Sequence, residues 1–502
     1  MPRSTFHGKQ ATRKLGYATL SAAKPLTSED DNDSSREKFD TNTIQDDTGV
    51  ETSDFAPAEL DRGTTQRQNK IQKLQEKDYL LLGKDTWSAN SSHGLTYAGL
   101  FLFTFTLYFR PYELIPAFSG FSSIAFIIAI TTLIIYLPTQ ISAEGTVTTL
   151  PVEVKCILFL TFWAVITIPI AKDPALAWDK FNEHFSKVAI IFVVMVNTLR
   201  TPARIKGLMW LGIAVGVMLS YQAVGLYRAG VFKVEGYRVA VDFGGMFGNP
   251  NDMATHLVMF APISIALGFA AKGWLPKLVY FASPAIMAGG VIVAQSRSGL
   301  LGLMTAALVL GWKVRKGNGL KVISGAFLIV VAVLILAPGN LTTRIQSIVI
   351  PSLDPVGSAD ERRKILIASI WITLRNPIGI GIGNFPVVGP RNLETHNAYT
   401  QISSELGWLA FSAYMIFLVS PLRKLSALQR QTRENAEYGW IYHVSIGVYA
   451  SIAGYMVSSF FGSVAYIWYA YYGVAYAISL RRIYQLQAEN EVSTLDGRDS
   501  FT

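Results

Sequence analysis

Three stretches of the chain set arginine or histidine where apolar sequence meets polar sequence, and a charge in such a place needs a reason. In AQSRSGLLGL, Arg297 interrupts an apolar run at the end of a predicted span. A guanidinium in or near hydrocarbon is costly, so such a residue is normally paired or functional. Its planar fork matches phosphate oxygens through paired charge-assisted hydrogen bonds. In GYRVAVDFGGMFGNPNDMATHL, Arg238 precedes a Gly-rich turn, and Asn251 or Asp252 is expected to cap the helix that follows. The third stretch runs ADERRKILIASIWITLRNPIGIGIGNFPVVGPRNLETHNAYTQISSELGWLAF. Asp360 or its neighbour is expected to start a helix with Ile367 and Trp371 facing inward. Pro377 with Gly379, Gly381 and Gly383 then predicts a turn that brings backbone close to something. His396 and Asn397 follow where the chain returns to apolar sequence, and an imidazole with an ordinary pKa near ~6.5 accepts a proton at neutral pH. The chain contains no GxxxxGK(S/T), HExxH or CxxC and no clear carboxylate motif for a catalytic metal, so neither a metal nor a cofactor is expected.

The elements that must position these residues follow from composition. Half of the 502 residues are apolar and only 16% are charged, against the ~25% of ordinary globular chains. The first 92 residues hold 13 bases and 15 acids, leaving 31 bases and 20 acids for the other 410. That body carries repeated apolar runs near the ~20 residues needed to cross a bilayer, which rules out a soluble enzyme. The expected fold is all-α and polytopic, with about twelve spans near 95–110, 120–138, 154–171, 187–199, 205–227, 251–271, 276–295, 299–312, 320–338, 401–420, 440–460 and 464–480. Residues 1–92, with SEDDNDSSREKFD, are expected to be a disordered cytoplasmic tail, 93–482 the membrane domain, and 483–502 a second cytoplasmic tail. No cleavable signal peptide is visible, and Cys156 is the only cysteine, so no intrachain disulfide forms. The net charge of +9 belongs to bases flanking spans, which points to a bilayer and not to nucleic acid.

With the tail inside, the short inner loops hold 14 bases and the short outer loops 8, which places both termini in the cytoplasm. Residues 339–400 then face outward as one long loop, and long loops with their own periodicity are usually functional. Each singled-out residue also has a plain structural alternative. His396 could hydrogen-bond a helix end, Arg297 could snorkel to the interface, and Arg362 could be a solvated loop charge. Trp210, Tyr466, Trp468 and Tyr469 read most simply as an aromatic belt or as helix packing.

In their order, the SRSG element at a span end, the FGNPND turn before it, a long outer loop with an arginine 15 residues before Pro377, and then HNAYTQ…ELG resemble the O-antigen ligase and polymerase superfamily, over roughly residues 200–420. The ligases' closing pattern is matched by His396, Asn397 and Gly407, whereas Ala410 stands where Gly, Thr or Tyr is usual. FRPYELIP is similar to a stretch of the exosortase-associated O-glycosylation ligase branch, with Leu114 in place of its Trp. The resemblance implies a GT-C-like, metal-independent, inverting glycosyltransferase acting on the outer face of a bacterial inner membrane. Its donor would be a polyprenyl-pyrophosphate-linked glycan, and its acceptor the lipid A core or another glycan or protein. By position it implies Arg297 and Arg362, with Arg363 a close rival, on the pyrophosphate, Arg238 as a further binding residue, and His396 serving the acceptor hydroxyl.

A polymerase of the same superfamily would use the same donor with a second lipid-linked glycan as acceptor. A small-anion carrier, such as one for bicarbonate, would be expected to show inverted repeats and charged or broken mid-membrane helices; no convincing internal repeat is present. The base asymmetry makes the topology testable. Reporter fusions after Ala337 should report outside and fusions within 313–321 inside, and finding residues 339–400 in the cytoplasm would overturn the orientation.

Overall fold

A computed structural model describes residues 92–109, 124–241, 247–314 and 358–499. The N-terminal tail, most of FRPYELIP, the expected span 320–338 and the first part of the long loop lie outside the described residues. Among the described residues the chain is helical, with one isolated antiparallel bridge, Val234–Arg238. The described α-helices of seven residues or more are α1 (Gly94–Phe109), α2 (Ile124–Glu144), α3 (Val152–Thr167), α4 (Pro174–Lys180), α5 (Ser186–Thr198), α6 (Pro202–Arg228), α7 (Pro250–Ala270), α8 (Trp274–Val293), α9 (Arg297–Val314), α10 (Ser358–Arg375), α11 (Ala398–Glu405), α12 (Gly407–Thr432), α13 (Gly439–Ser458) and α14 (Trp468–Asp499). Six described helical stretches are long and apolar enough to cross a membrane: Ile124–Glu144, Val152–Ile170, Pro202–Arg228, Pro250–Ala270, Trp274–Val293 and Gly439–Phe461.

Several helix starts are written in dipeptides. Asp173–Pro174, Thr201–Pro202 and Asn249–Pro250 each supply a side-chain cap and then a proline at a position whose N–H would be unsatisfied anyway. The run expected at 187–199 begins earlier. α4 continues through a π-helical turn, Phe181–Phe185, into α5, so Lys180 and Lys187 sit on a helix and not in a loop. At the other extreme, α14 does not stop at the basic pair Arg481 and Arg482 but runs to Asp499.

α7 is the most enclosed helix, packed by α6, α8, α9 and α13. Small residues allow that closeness. A Cβ on Gly454 would lie 2.9 Å from the Gly302 carbonyl, and one on Gly447 would lie 2.9 Å from that of Pro262. At one end of the bundle, buried ion pairs tie distant helices together. Glu153 accepts from Ser420 at 3.1 Å, Lys424 at 3.2 Å and Arg481 at 3.4 Å. Glu144 pairs with Arg200 at 2.6 Å and with Arg482, while Arg200 also donates to Gln140 at 2.9 Å. All of these bases belong to the set expected on the inner side.

The single span expected at 401–420 is two helices. α11 ends at Glu405 and α12 starts at Gly407, whose φ is +81. The Gly-rich turn after α10 fills this break. Ile380 N–H donates to Ser404 O (3.1 Å), Gly381 N–H to Glu405 O (2.9 Å) and Gly383 N–H to the Glu405 carboxylate (2.8 Å). Trp408 N–H returns a bond to Pro377 O (3.0 Å), and the Trp163 indole donates to Leu406 O (2.8 Å). The close backbone approach expected of this turn is thus made against the broken helix. A Cβ at Gly407 would sit 2.2 Å from Pro377 O in a left-handed backbone. Gly407→Ala is therefore expected to destabilise the protein by at least ~2 kcal/mol. This is read as a lower Tm in detergent; an unchanged Tm would show that turn and break are independent.

Candidate functional site

Arg297 opens α9 from a tight reversal after α8, in which Gln295 has a φ of +47. Ser296 caps the helix, its carbonyl accepting from Leu300 N–H (3.0 Å) and its hydroxyl from Gly299 N–H (3.2 Å). The same hydroxyl donates to Asn251 Oδ1 at 2.9 Å and lies 3.0 Å from that of Ser298. Arg297, buried, thus stands at a helix N-terminus, where backbone N–H groups and the helix dipole both favour an anion.

Arg238 braces this turn. Its Nε donates to Ala294 O (3.1 Å), one Nη donates to Asn251 Oδ1 (2.8 Å), and the other lies 3.7 Å from Glu235. Neither Asn251 nor Asp252 caps α7, contrary to expectation. Asn249 does so, its side chain accepting from Asn251 N–H at 2.9 Å. The cap moves there because Pro250 takes the first helical position, and this releases the Asn251 amide oxygen to join Arg238 to Ser296.

His396 sits in a left-handed backbone conformation, φ +51, immediately before α11. Its N–H donates to Ser463 Oγ at 2.9 Å, and Thr395 Oγ1 lies 3.2 Å from the same hydroxyl. Asn397 caps α11, accepting from the N–H groups of Tyr399 and Thr400 at 2.9 and 3.1 Å. Burial lowers the pKa of the half-buried imidazole, and Arg362 lowers it further; Glu394 and Glu361 oppose this weakly. The ring is therefore neutral at pH 7, with a lone pair available to a proton. Arg362 is half-buried and its charge reaches His396, whereas Arg363 is exposed.

The inward side of α10 differs from expectation. Ile367 and Trp371 are exposed; Ile365, Ser369 and Thr373 are buried, with Thr373 Oγ1 3.1 Å from Ser403 Oγ. The contact surface offered by α11 is small and polar, so the helix turns its small and polar residues to it.

Sequence reading missed four neighbours. Glu394 lies 3.9 Å from Lys180, its field also reaches His184 and Asp252, and Ser463 holds the His396 backbone. Burial, and after it Lys180, lowers the pKa of His184. The signals were faint: Glu394 is two residues before His396, Ser463 lies in the short FGSVAY link, and Lys180 and His184 belong to the helical run read as loop. The two halves of the site share one end of the bundle. α9 packs on the turn Ser459–Phe461, which leads directly to Ser463, and Asp252 adjoins Asn251 while lying within the field of Glu394.

Fold and site together define a multi-pass membrane protein that gathers arginines and a neutral histidine at one end of its bundle. Residues 282–415 match the family model described as O-antigen ligase, a segment that contains Arg297, Arg362 and His396 and begins after Arg238. Over that segment the chain is similar to the O-antigen ligase family. A comparison with curated proteins gives no match.

The field of Arg362 on His396 makes a signed prediction. If the reaction needs neutral His396, its rate falls as pH drops through the lowered pKa. Arg362→Gln removes a cation that opposes protonation, so the acidic limb of kcat/KM should move to higher pH, whatever the loss in absolute rate. A limb that stays in place would dissociate the two residues.

Proposed function

We propose that the protein is a glycosyltransferase of the O-antigen ligase type, moving a glycan from a polyprenyl-pyrophosphate carrier to an acceptor hydroxyl on the outer face of a bacterial inner membrane. About twelve spans, with both termini cytoplasmic, carry the site. The observation that carries the reading is the union of a neutral, half-buried His396 with Arg362 and Arg297 inside one family-matched segment. His396 takes the proton of the acceptor hydroxyl as its oxygen attacks the anomeric carbon. The bond from that carbon to pyrophosphate oxygen breaks, its electron pair leaves with the pyrophosphate, and the anomeric configuration inverts. Arg297, with the N-terminus of α9, and Arg362 bind the charge that grows on the leaving group. Arg238 contributes by holding the Arg297 turn through Ala294 and Asn251, and its positive field falls on the same region.

This arrangement couples donor to base. Before the donor arrives, burial and then Arg362 keep His396 unprotonated; pyrophosphate bound on Arg362 offsets that cation and strengthens the base when the acceptor is to be activated. The guanidinium groups supply positive charge at the leaving group, so the reaction is proposed to proceed without a metal. A polymerase would use the same residues on a second lipid-linked glycan.

Purified protein with a polyprenyl-pyrophosphate glycan and acceptor, in EDTA, tests the assignment. Arg297→Lys keeps the charge but loses the fork, so turnover should fall severely with normal membrane insertion. His396→Ala should lose ~10²- to 10⁴-fold in turnover while still binding donor. Wild-type turnover by His396→Ala, or activity abolished by EDTA and restored by a divalent ion, would sink the proposal. In a deletion strain, accumulated lipid-linked polymer with uncapped acceptor indicates a ligase, and glycans reduced to one repeat indicate a polymerase.

A further inference from the structure

α10 buries Ile365 against Ile380 and Phe385 but carries most of its large apolar residues on the side away from the protein. Ile367, Ile370, Trp371 and Leu374, with Ile378 just beyond the helix, are 47–57% exposed at a spacing of three to four residues, which makes one continuous stripe. The buried side holds Ser369 and Thr373 beside Ile365, so most of the apolar surface of α10 faces away from the protein, the reverse of a helix surrounded by water. The stripe does not end at the helix. Pro377, adjoining Ile378, accepts from Trp408 N–H at 3.0 Å, and Trp408 and Leu409 at the start of α12 are again exposed. Comparable exposure marks Phe126, Ile127 and Ile134 on α2, an apolar helix long enough to cross a membrane. Cations flank the stripe: Arg363 and Lys364 at one end and Arg375 at the other are exposed, against the exposed Asp360 and the partly exposed Glu361, which is paired with Arg391.

We propose that α10 is an interfacial helix, its apolar stripe seated among the acyl chains of the outer leaflet and its flanking cations against anionic lipid phosphates. A lipid surface fits both the apolar width and the charge of this face, and the contact continues that of α12. The opposite side of α10 carries Arg362, so the helix sets that guanidinium at the depth of lipid phosphates; only this catalytic consequence rests on the proposed transferase reading.

The test measures depth and needs no turnover. Ile370→Cys, labelled with an environment-sensitive fluorophore in the full-length protein, is reconstituted into vesicles of phosphatidylethanolamine and phosphatidylglycerol; the native Cys156 is buried. Lipids bearing a nitroxide near the headgroup should quench the label several-fold more than lipids with a nitroxide near the chain end. Aqueous iodide should quench it several-fold less than the free dye. Replacing the anionic lipid by phosphatidylcholine should reduce the nitroxide quenching at least twofold. Strong iodide quenching without nitroxide quenching would put the stripe in water and overturn the proposal. Protection from both quenchers, as a second copy of the chain covering the stripe would cause, would overturn it too. Equal nitroxide quenching in both lipid compositions would remove the role given to the cations.

Discussion

A helix that breaks at the edge of a membrane leaves carbonyl and N–H groups that water does not reliably reach, and each must find a partner within the protein. Between α11 and α12 that demand is met almost wholly by other backbone. Ser404 and Glu405 carbonyls accept from the turn at Ile380 and Gly381, Leu406 accepts from the Trp163 indole, and Trp408 donates to Pro377. Side chains would hold these strands apart, which is why glycines occupy the contact. The rest of the site inherits its geometry from this seam. Its upstream side ends α10 and so locates Arg362; its downstream helix starts at the Asn397 cap and so locates His396. Lys172 and Asp173 bind the same turn through Ile380 O and Asn384, bringing α4 and Lys180 alongside.

Much of this was legible in the sequence, for reasons that are local. Caps followed by proline mark where α4, α6 and α7 begin, and Pro377 with three alternating glycines marks close backbone approach. Apolar run length gave the long helices. What stayed hidden depends on neighbours distant in sequence. That the Asn251 side chain joins Arg238 to Ser296 depends on partners 13 residues upstream and 45 downstream. The exposed side of α10 was misread because periodicity identifies an apolar face without identifying what that face meets. Ser463 carries no motif at all, and its part follows only from the end of α13, the turn Ser459–Phe461 and the link after it packing on α11. The run expected at 187–199 begins earlier because a π-helical turn joins it to α4, and no simple period detects such a turn.

The electrostatics of the site are divided by backbone position. Arg297 and Arg238 belong to a rigid cluster in which Ser296 and Asn251 are shared between turns. His396, Arg362, Glu361 and Glu394 come from chain segments joined by the Gly-rich seam, and an exposed ion pair, Glu361–Arg391 at 2.5 Å, links two of those segments. Exposed pairs contribute little to stability, on the order of 0–1 kcal/mol.

The ion pairs at the far end of the bundle bear on how the molecule is made. Glu144 and Glu153 lie on α2 and α3, while Arg481 and Arg482 lie on α14, more than three hundred residues later. During synthesis both carboxylates enter the bundle long before the C-terminal helix has emerged from the ribosome. Lys424 and Arg200 supply interim counter-charges, yet the full set of partners exists only when translation is nearly complete. A chain cut short before α14 would therefore keep Glu144 and Glu153 short of partners in a low-dielectric setting.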